Sequence, residues 1–160
     1  MSAPVQFGID RLLDTIVSKR AQLDLALASD LPEIAADDVQ VRQVVVNLVS
    51  NAADSMQDAA GTVTVSTGVQ VIAPGEAIPG HVRGDCSPGT YVYLEVVDEG
   101  SGIAEPGVSR IFEPFFTTKS TGHGLGLPAT LGIVRGHGGA IVLETECGTG
   151  TKVRALFPTA

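Results

Sequence analysis

Gln43, Asn47, Asn51, Asp54 and Asp58 follow one another at spacings of 4, 4, 3 and 4 in a stretch rich in valine, leucine and alanine. At ~100° per residue on a helix they fall within an arc of roughly 80°, a single polar stripe. Around it stand Val41, Val44, Val45, Val46, Leu48, Val49, Ala52 and Met56, so the predicted helix is apolar on nearly every other side and belongs in an interior. A buried carboxamide without a partner costs ~1–3 kcal/mol. Asn47 and Asn51 therefore either bond neighbouring backbone or face a ligand, and the helix alone leaves both readings open. An amide oxygen is a neutral hard donor suited to Mg²⁺, which keeps waters and substrate phosphates in its shell.

Two further segments bear on that choice. Asp98-Glu99-Gly100-Ser101-Gly102-Ile103 starts where a valine-rich strand ends, a place from which a carboxylate can accept from an exocyclic amine on a pocket floor. Gly100 and Gly102 would let backbone approach a flat ring, although a D-x-G-x-G string alone is more often a surface turn. Lys119 precedes Gly122-His123-Gly124-Leu125-Gly126-Leu127, a glycine loop opening directly into a helix. The unpaired N–H groups and positive dipole end of a helix N-terminus suit phosphate oxygens, and Pro128 is tolerated in that first turn. The chain contains no G-x-x-x-x-G-K-[ST], so the loop is not a P-loop.

These segments need elements to hold them. Ile9, Leu12, Leu13, Ile16 and Val17 predict an amphipathic helix over 8–20, and the alternation Leu23, Leu25, Leu27 predicts a strand. Ile34 to Ala36 reads as a short second strand. Asp37 or Asp38 supplies the N-cap of the central helix, which runs to about Ala60 and stops at Gly61. Thr62 to Ile72 reads as a strand with its valines inward, and Tyr91 to Val97 as its partner beyond a Pro- and Gly-rich loop to which no chemistry is assigned. A short helix near 108–112, a helix from about Leu125 to His137, and a hairpin of Ile141–Thr145 with Lys152–Phe157 around the Gly148-Thr149-Gly150 turn complete the chain. The fold class is α/β (α+β): a two-layer sandwich with a mixed, mostly antiparallel sheet covered by helices on one face.

The bulk properties narrow the function. With 160 residues, 44% of them hydrophobic and 18% charged, the chain has the composition of one globular domain. A formal charge of −8 with ten scattered Lys and Arg argues against a nucleic-acid surface. On an anionic chain, a phosphate ligand requires oriented N–H groups, placed cations or a divalent metal. Cys86 and Cys147 lack metal-ligand spacing and read as reduced thiols. No apolar stretch approaches the ~20 residues of a membrane span, and the first seven residues lack signal-peptide character. A soluble, cytoplasmic domain without membrane contact is expected.

Taken in order, the segments resemble the histidine kinase branch of the ATPase superfamily that also contains gyrase, Hsp90 and MutL, with its Bergerat-type ATP-binding fold. Arg42 to Ala52 (RQVVVNLVSNA) looks like the asparagine box, Asp98 to Ile103 like the first glycine box, Ile111 to Lys119 (IFEPFFTTK) like the phenylalanine box. Gly122 to Leu127 is similar to the second glycine box and Gly150-Thr151 to the final Gly-Thr element. Ile133-Val134 with His137-Gly138-Gly139 and Ile141 is typical of the kinases and not of the gyrase group.

The resemblance implies ATP and Mg²⁺ as cofactors. Asn51 would ligate the metal, with Asn47 beside the metal or phosphates, and Asp98 would accept from the adenine amine with Thr151 nearby through a water. Gly100, Gly102 and Ile103 would line the nucleotide, while Lys119, His123 and the Gly122, Gly124, Leu125, Gly126 and Leu127 backbone would hold phosphates. Asn47 and Lys119 are the expected catalytic residues. A lid would span about 104–124, packed by Phe112, Phe115 and Phe116. Residues 8–160 would form one ATP-binding catalytic domain, and residues 1–20 the connection from a dimerisation hairpin plus the first helix. Asp54 stands where many relatives have Lys or Arg, and an acid there resembles the nitrogen-sensor and hybrid-kinase branch; Thr117 replaces an arginine found in other branches, leaving charge compensation to Lys119 and the metal. Glu99 receives no role.

The expected partners are the dimerisation and histidine-phosphotransfer domain of the same kinase and, downstream, a response regulator receiver. His81, His123 and His137 stand outside any His-Glu or His-Asp setting on a helical hairpin, so the acceptor histidine is expected on another domain. The alternatives are an ATP hydrolase of the gyrase, Hsp90 or MutL type and an anti-sigma serine kinase. The hydrolases carry a water-activating glutamate where this chain has Asn47, and a neutral amide is no general base. The FEPFFTTK and His-Gly-Gly stretches favour the histidine kinase over the anti-sigma factor.

Overall fold

The computed structural model describes residues 2–3, 21–54, 61–100, 102–103, 126–146 and 148–159. The expected first helix over 8–20, the end of the central helix over 55–60, the short helix near 108–112 and the lid over 104–124 lie outside the described residues. So do Lys119, Gly122, His123, Gly124 and Leu125.

The strands are β1 (Ser2–Ala3), β2 (Ala21–Ala26), β3 (Ile34–Ala35), β4 (Gly61–Ile72), β5 (His81–Gly84), β6 (Gly89–Asp98), β7 (Ala140–Glu146) and β8 (Gly150–Pro158); the helices are α1 (Asp38–Asp54) and α2 (Gly126–Gly136). Six strands form one sheet in the order β2-β4-β6-β8-β7-β5, and β1 pairs with β3 apart from it. Only β2 and β4 run parallel; the other neighbours in the sheet are antiparallel.

α1 starts where its cap dictates. Asp37 Oδ1 accepts from the N–H groups of Val39 and Gln40 at 2.9 and 3.2 Å, and the Asp37 carbonyl takes the first helical bond from Val41 at 2.9 Å. Asp38 in the first turn complements the dipole. The helix buries Val41, Val44, Val45, Leu48, Val49 and Ala52, each at most 4% exposed, against Val63 and Val65 of β4 and Val92, Leu94 and Val96 of β6. Leu131 and Val134 of α2 and Ile141, Ala155 and Phe157 of the hairpin complete this core.

The expectation of inward valines along β4 holds only for its first half. Val63 and Val65 are buried, whereas Val69 and Val71, on the same side of the pleat, are 45% and 64% exposed. Alternation reports which side a residue faces, and it does not report how far the helical layer extends over that side.

The Pro- and Gly-rich loop holds β5, which the sequence reading missed. Its four residues pair with β7, His81 opposite Leu143 and Gly84 opposite Ala140, and the strand follows Gly80 and ends on Gly84, at φ 98° and 108°. Around it a second apolar cluster forms from Ile72, Tyr91, Val142 and Leu156, with Ile78, Val82, Cys86 and Tyr93 packed on it. Leu156 lies between Ala155 and Phe157, so the pleat turns it to the face opposite the helices. Burial, reinforced by the Asp85 carboxylate, pushes the Cys86 thiol above its ordinary value, which lowers its thiolate fraction. On the same face Arg154 lies 3.9 Å over the Tyr93 ring, donates to Gln70 Oε1 at 2.7 Å and pairs with Glu95, tying β4, β6 and β8 together.

The His137-Gly138-Gly139 stretch has a local cause. Gly138, at φ 77°, donates to the Arg135 carbonyl at 2.9 Å and Gly139 donates to that of Val134 at 3.0 Å, the paired bonds of a Schellman stop to α2. His137 Nδ1 faces the Ile133 carbonyl at 2.7 Å, which can only accept, so Nδ1 carries the proton and Nε2 accepts from the Asp37 N–H at 3.1 Å. The ring also stands edge-on to Phe157. His137 thus fastens the end of α2 to the start of α1. His137→Phe keeps a ring but loses both bonds, and should lower unfolding free energy by roughly 1–2 kcal/mol in denaturant melts.

Candidate nucleotide site

Asp98 closes β6, is 8% exposed, and accepts from the Gly100 N–H through Oδ1 at 2.9 Å. The turn so formed keeps Gly100 buried and carries Gly102 at φ 73°, a conformation that favours glycine. Opposite Asp98 in the ladder stands Thr151, the expected neighbour. Thr151 Oγ1 lies 2.9 Å from Thr145 Oγ1, and Thr145 Oγ1 also accepts from the Ile103 N–H at 2.9 Å and donates to the Gly150 carbonyl at 3.2 Å. With its one hydrogen spent on Gly150, Thr145 must accept from Thr151. Thr145 therefore ties the Gly102–Ile103 backbone to the hairpin that presents Thr151. Sequence reading took it only as a strand residue, and its place before the Gly148-Thr149-Gly150 turn was the available signal. Glu99, which received no role, accepts from the Thr62 N–H at 2.8 Å and joins the turn to the start of β4.

Topology brings the amide stripe to this end of the sheet. α1 begins beside His137, whose ring meets Phe157, six residues along β8 from Thr151. Six strand residues span ~20 Å, and the thirteen helical steps from Asp38 to Asn51 also rise ~20 Å. The helix packs on β4 and β6, and from its end at Asp54 the chain reaches Gly61, the start of β4, within seven residues, where Thr64 pairs with Val97 next to Asp98. Asn47 and Asn51 are both half-buried. Gln43 Nε2 donates to Asn47 Oδ1 at 2.8 Å, and Asn47 Nδ2 donates to Thr130 Oγ1 of α2 at 3.2 Å. Thr130, fully buried, is a second residue the sequence reading missed. Asp54 ends α1, with its side chain outside the described part.

Of the second glycine segment, Gly126 opens α2 and Leu127 is 9% exposed against the core. Pro128 falls in the first turn, where its missing N–H breaks no helical bond. The architecture is a sheet end with a buried carboxylate, a hydroxyl opposite it, a glycine turn beside it, and an amide stripe on the covering helix.

Residues 36–160 match the profile of the family described as histidine kinase-, DNA gyrase B-, and HSP90-like ATPase. The chain belongs to that family. Among sequence relatives of this ATPase domain, sensor kinase CckA of Brucella abortus is 40% identical over 149 residues, 92% of this chain and 15% of the relative. Sporulation kinase A of Bacillus subtilis is 38% identical across 78% of this chain and 18% of its own length, and sensor histidine kinase ZraS of Escherichia coli is 34% identical across 88% and 26%. The chain thus spans about a quarter or less of these relatives. Among solved structures, full-length ShkA in complex with AMPPNP superposes with a TM-score of 0.69 at 30% identity, covering 99% of this chain and 31% of that one. The mycobacterial sensor histidine kinase MprB gives the same TM-score at 24% identity, covering 94% and 91%, a likeness of fold. Among the described residues no helix is long and apolar enough to cross a membrane.

Proposed function

We propose that this chain is the ATP-binding catalytic domain of a cytoplasmic sensor histidine kinase unit, binding Mg-ATP and donating the γ-phosphoryl group to a histidine on a separate dimerisation domain. The observation that carries the reading is Asn47. Its carboxamide bonds Gln43 and Thr130 at the position where the hydrolases of the superfamily place a water-activating glutamate. An amide cannot take a proton from water at neutral pH, so this chain's residues suit positioning and charge stabilisation, the two tasks on which phosphoryl transfer chiefly depends.

In this reading Asp98 accepts from the adenine amine, Gly100, Gly102 and Ile103 line the ring, and Thr151 supports the pocket floor. The Asn51 amide oxygen suits Mg²⁺, whose preference for oxygen ligands leaves room for phosphate and water, and Asn47 lies one turn away beside the phosphates. The metal, when bound, would offset charge on the phosphates. Lys119, His123 and the glycine backbone from Gly122 to Leu127 hold phosphates from a lid over about 104–124. Residues 1–20 form the connection to the dimerisation hairpin, and a response regulator receiver accepts the phosphoryl group downstream.

Of the described histidines, neither stands on a helical hairpin. His137 uses both ring nitrogens within the fold, and His81 belongs to the edge strand β5, paired with Leu143. Incubated alone with labelled ATP, the chain should acquire no acid-labile phosphohistidine; mixed with its cognate dimerisation hairpin, it should label the hairpin's histidine. Rapid hydrolysis by the isolated chain, near the median enzyme rate of ~10 per second, would favour the hydrolase instead.

A further inference from the structure

The two partners of the Asn47 side chain bear on its chemistry beyond its place in the motif. A carboxamide rotated by 180° about its last bond keeps its shape while exchanging an acceptor for a pair of donors. Which end faces a ligand decides whether the group suits phosphate oxygens or a cation. Here Oδ1 accepts from Gln43 Nε2 and Nδ2 donates to Thr130 Oγ1. The two partners differ in freedom. Gln43 is exposed and can turn its own amide to follow Asn47. Thr130 is 0% exposed in the middle of α2 and cannot leave. A helical threonine can give its only hydrogen to the carbonyl one turn back, and its oxygen then serves as an acceptor toward a neighbouring side chain, the role it plays toward Asn47 Nδ2 here. An acceptor at that point favours the orientation with Nδ2 toward α2 and opposes the flipped one, which would set two oxygens face to face.

We propose that Thr130 is a positioning residue of the nucleotide site, its buried hydroxyl holding the Asn47 carboxamide in one of its two orientations. The proposal rests on reading Asn47 as part of an Mg-ATP site. It also gives α2 a second task, since the helix that opens within the second glycine box would orient, one turn further on, the first asparagine of α1.

The test uses variants whose ranking a packing role would reverse. Thr130→Val keeps the shape and deletes the hydroxyl; Thr130→Ser keeps the hydroxyl and deletes a methyl. Binding of a non-hydrolysable ATP analogue with Mg²⁺ is measured by calorimetry beside thermal melts. Thr130→Val should bind about three- to tenfold more weakly with at most a modest fall in melting point, and Thr130→Ser should stay within about twofold of the parent's affinity despite a lower melting point. In an Asn47→Ala background Thr130→Val should add nothing, because the effect passes through Asn47. Parent-like binding by Thr130→Val, or a loss confined to Thr130→Ser, overturns the proposal. Failure of the parent chain to bind the analogue would instead remove the Mg-ATP reading on which the proposal stands.

Discussion

Asp98→Asn is expected to weaken ATP and ADP binding alike, by ~1–3 kcal/mol or roughly five- to 150-fold, with little change in the melt. The geometry separates the two effects. One carboxylate oxygen of Asp98 holds the Gly100 N–H at 2.9 Å, and an asparagine can keep that bond with its own carbonyl oxygen, so the turn survives. The other position then becomes an NH₂ group. It cannot accept from the adenine amine, and with the pocket floor only 8% exposed at this residue, water has little room to substitute. An NH₂ group instead suits a carbonyl acceptor, so the preference for ATP over GTP should narrow in the variant. Calorimetry showing unchanged affinity for both adenine nucleotides would remove Asp98 from the pocket.

The parts of this site that the sequence disclosed are those whose cause is local. Asp37 caps α1, the valine spacing buries it, and the glycine pair after Asp98 permits the tight turn; each follows from neighbours within a few residues. β5 escaped because a strand of four residues, His-Val-Arg-Gly, has no room for a period, and its pairing with β7 is made about sixty residues away. The second apolar cluster escaped for a related reason. Ile72, Tyr91, Val142 and Leu156 sit singly on the outward side of strands whose inward side dominates the pattern. Thr145 and Thr130 act through contacts with other elements, the first across the hairpin and the second between helices, and neither spacing nor residue type marks a hydroxyl that happens to meet a distant amide. The His-Gly-Gly stretch was legible as a family feature; its physical basis, a Schellman stop with a histidine bridging two helices, required the fold.

Gly150 is where stability and binding should fail together. Its φ is 138°, outside the range side chains readily adopt, and a Cβ built there would lie 2.1 Å from the Asp98 carbonyl oxygen and 3.2 Å from the Glu99 Cα. Neither obstacle is a flexible side-chain end. For Gly150→Ala to fold, β8 must withdraw from β6 at the rung that pairs Asp98 with Thr151, and the Thr145 hydroxyl must lose its approach to the Gly150 carbonyl. The expected loss is about 3 kcal/mol or more in denaturant melts, and the molecules still folded should bind ATP at least tenfold more weakly. Gly139→Ala separates the two readouts. Its Cβ would meet the Leu156 carbonyl oxygen at 1.9 Å, a comparable clash, but Leu156 pairs with Tyr93, five residues along β6 from Asp98. Gly139→Ala should therefore destabilise without altering the affinity of its folded fraction. Gly132→Ala, in α2 with nothing within 4 Å of the added carbon, should raise stability by up to ~1 kcal/mol through helix propensity. If Gly150→Ala binds nucleotide as the parent does once folded, the hairpin turn does not set the position of Asp98, and Thr151 then plays no part in the pocket floor.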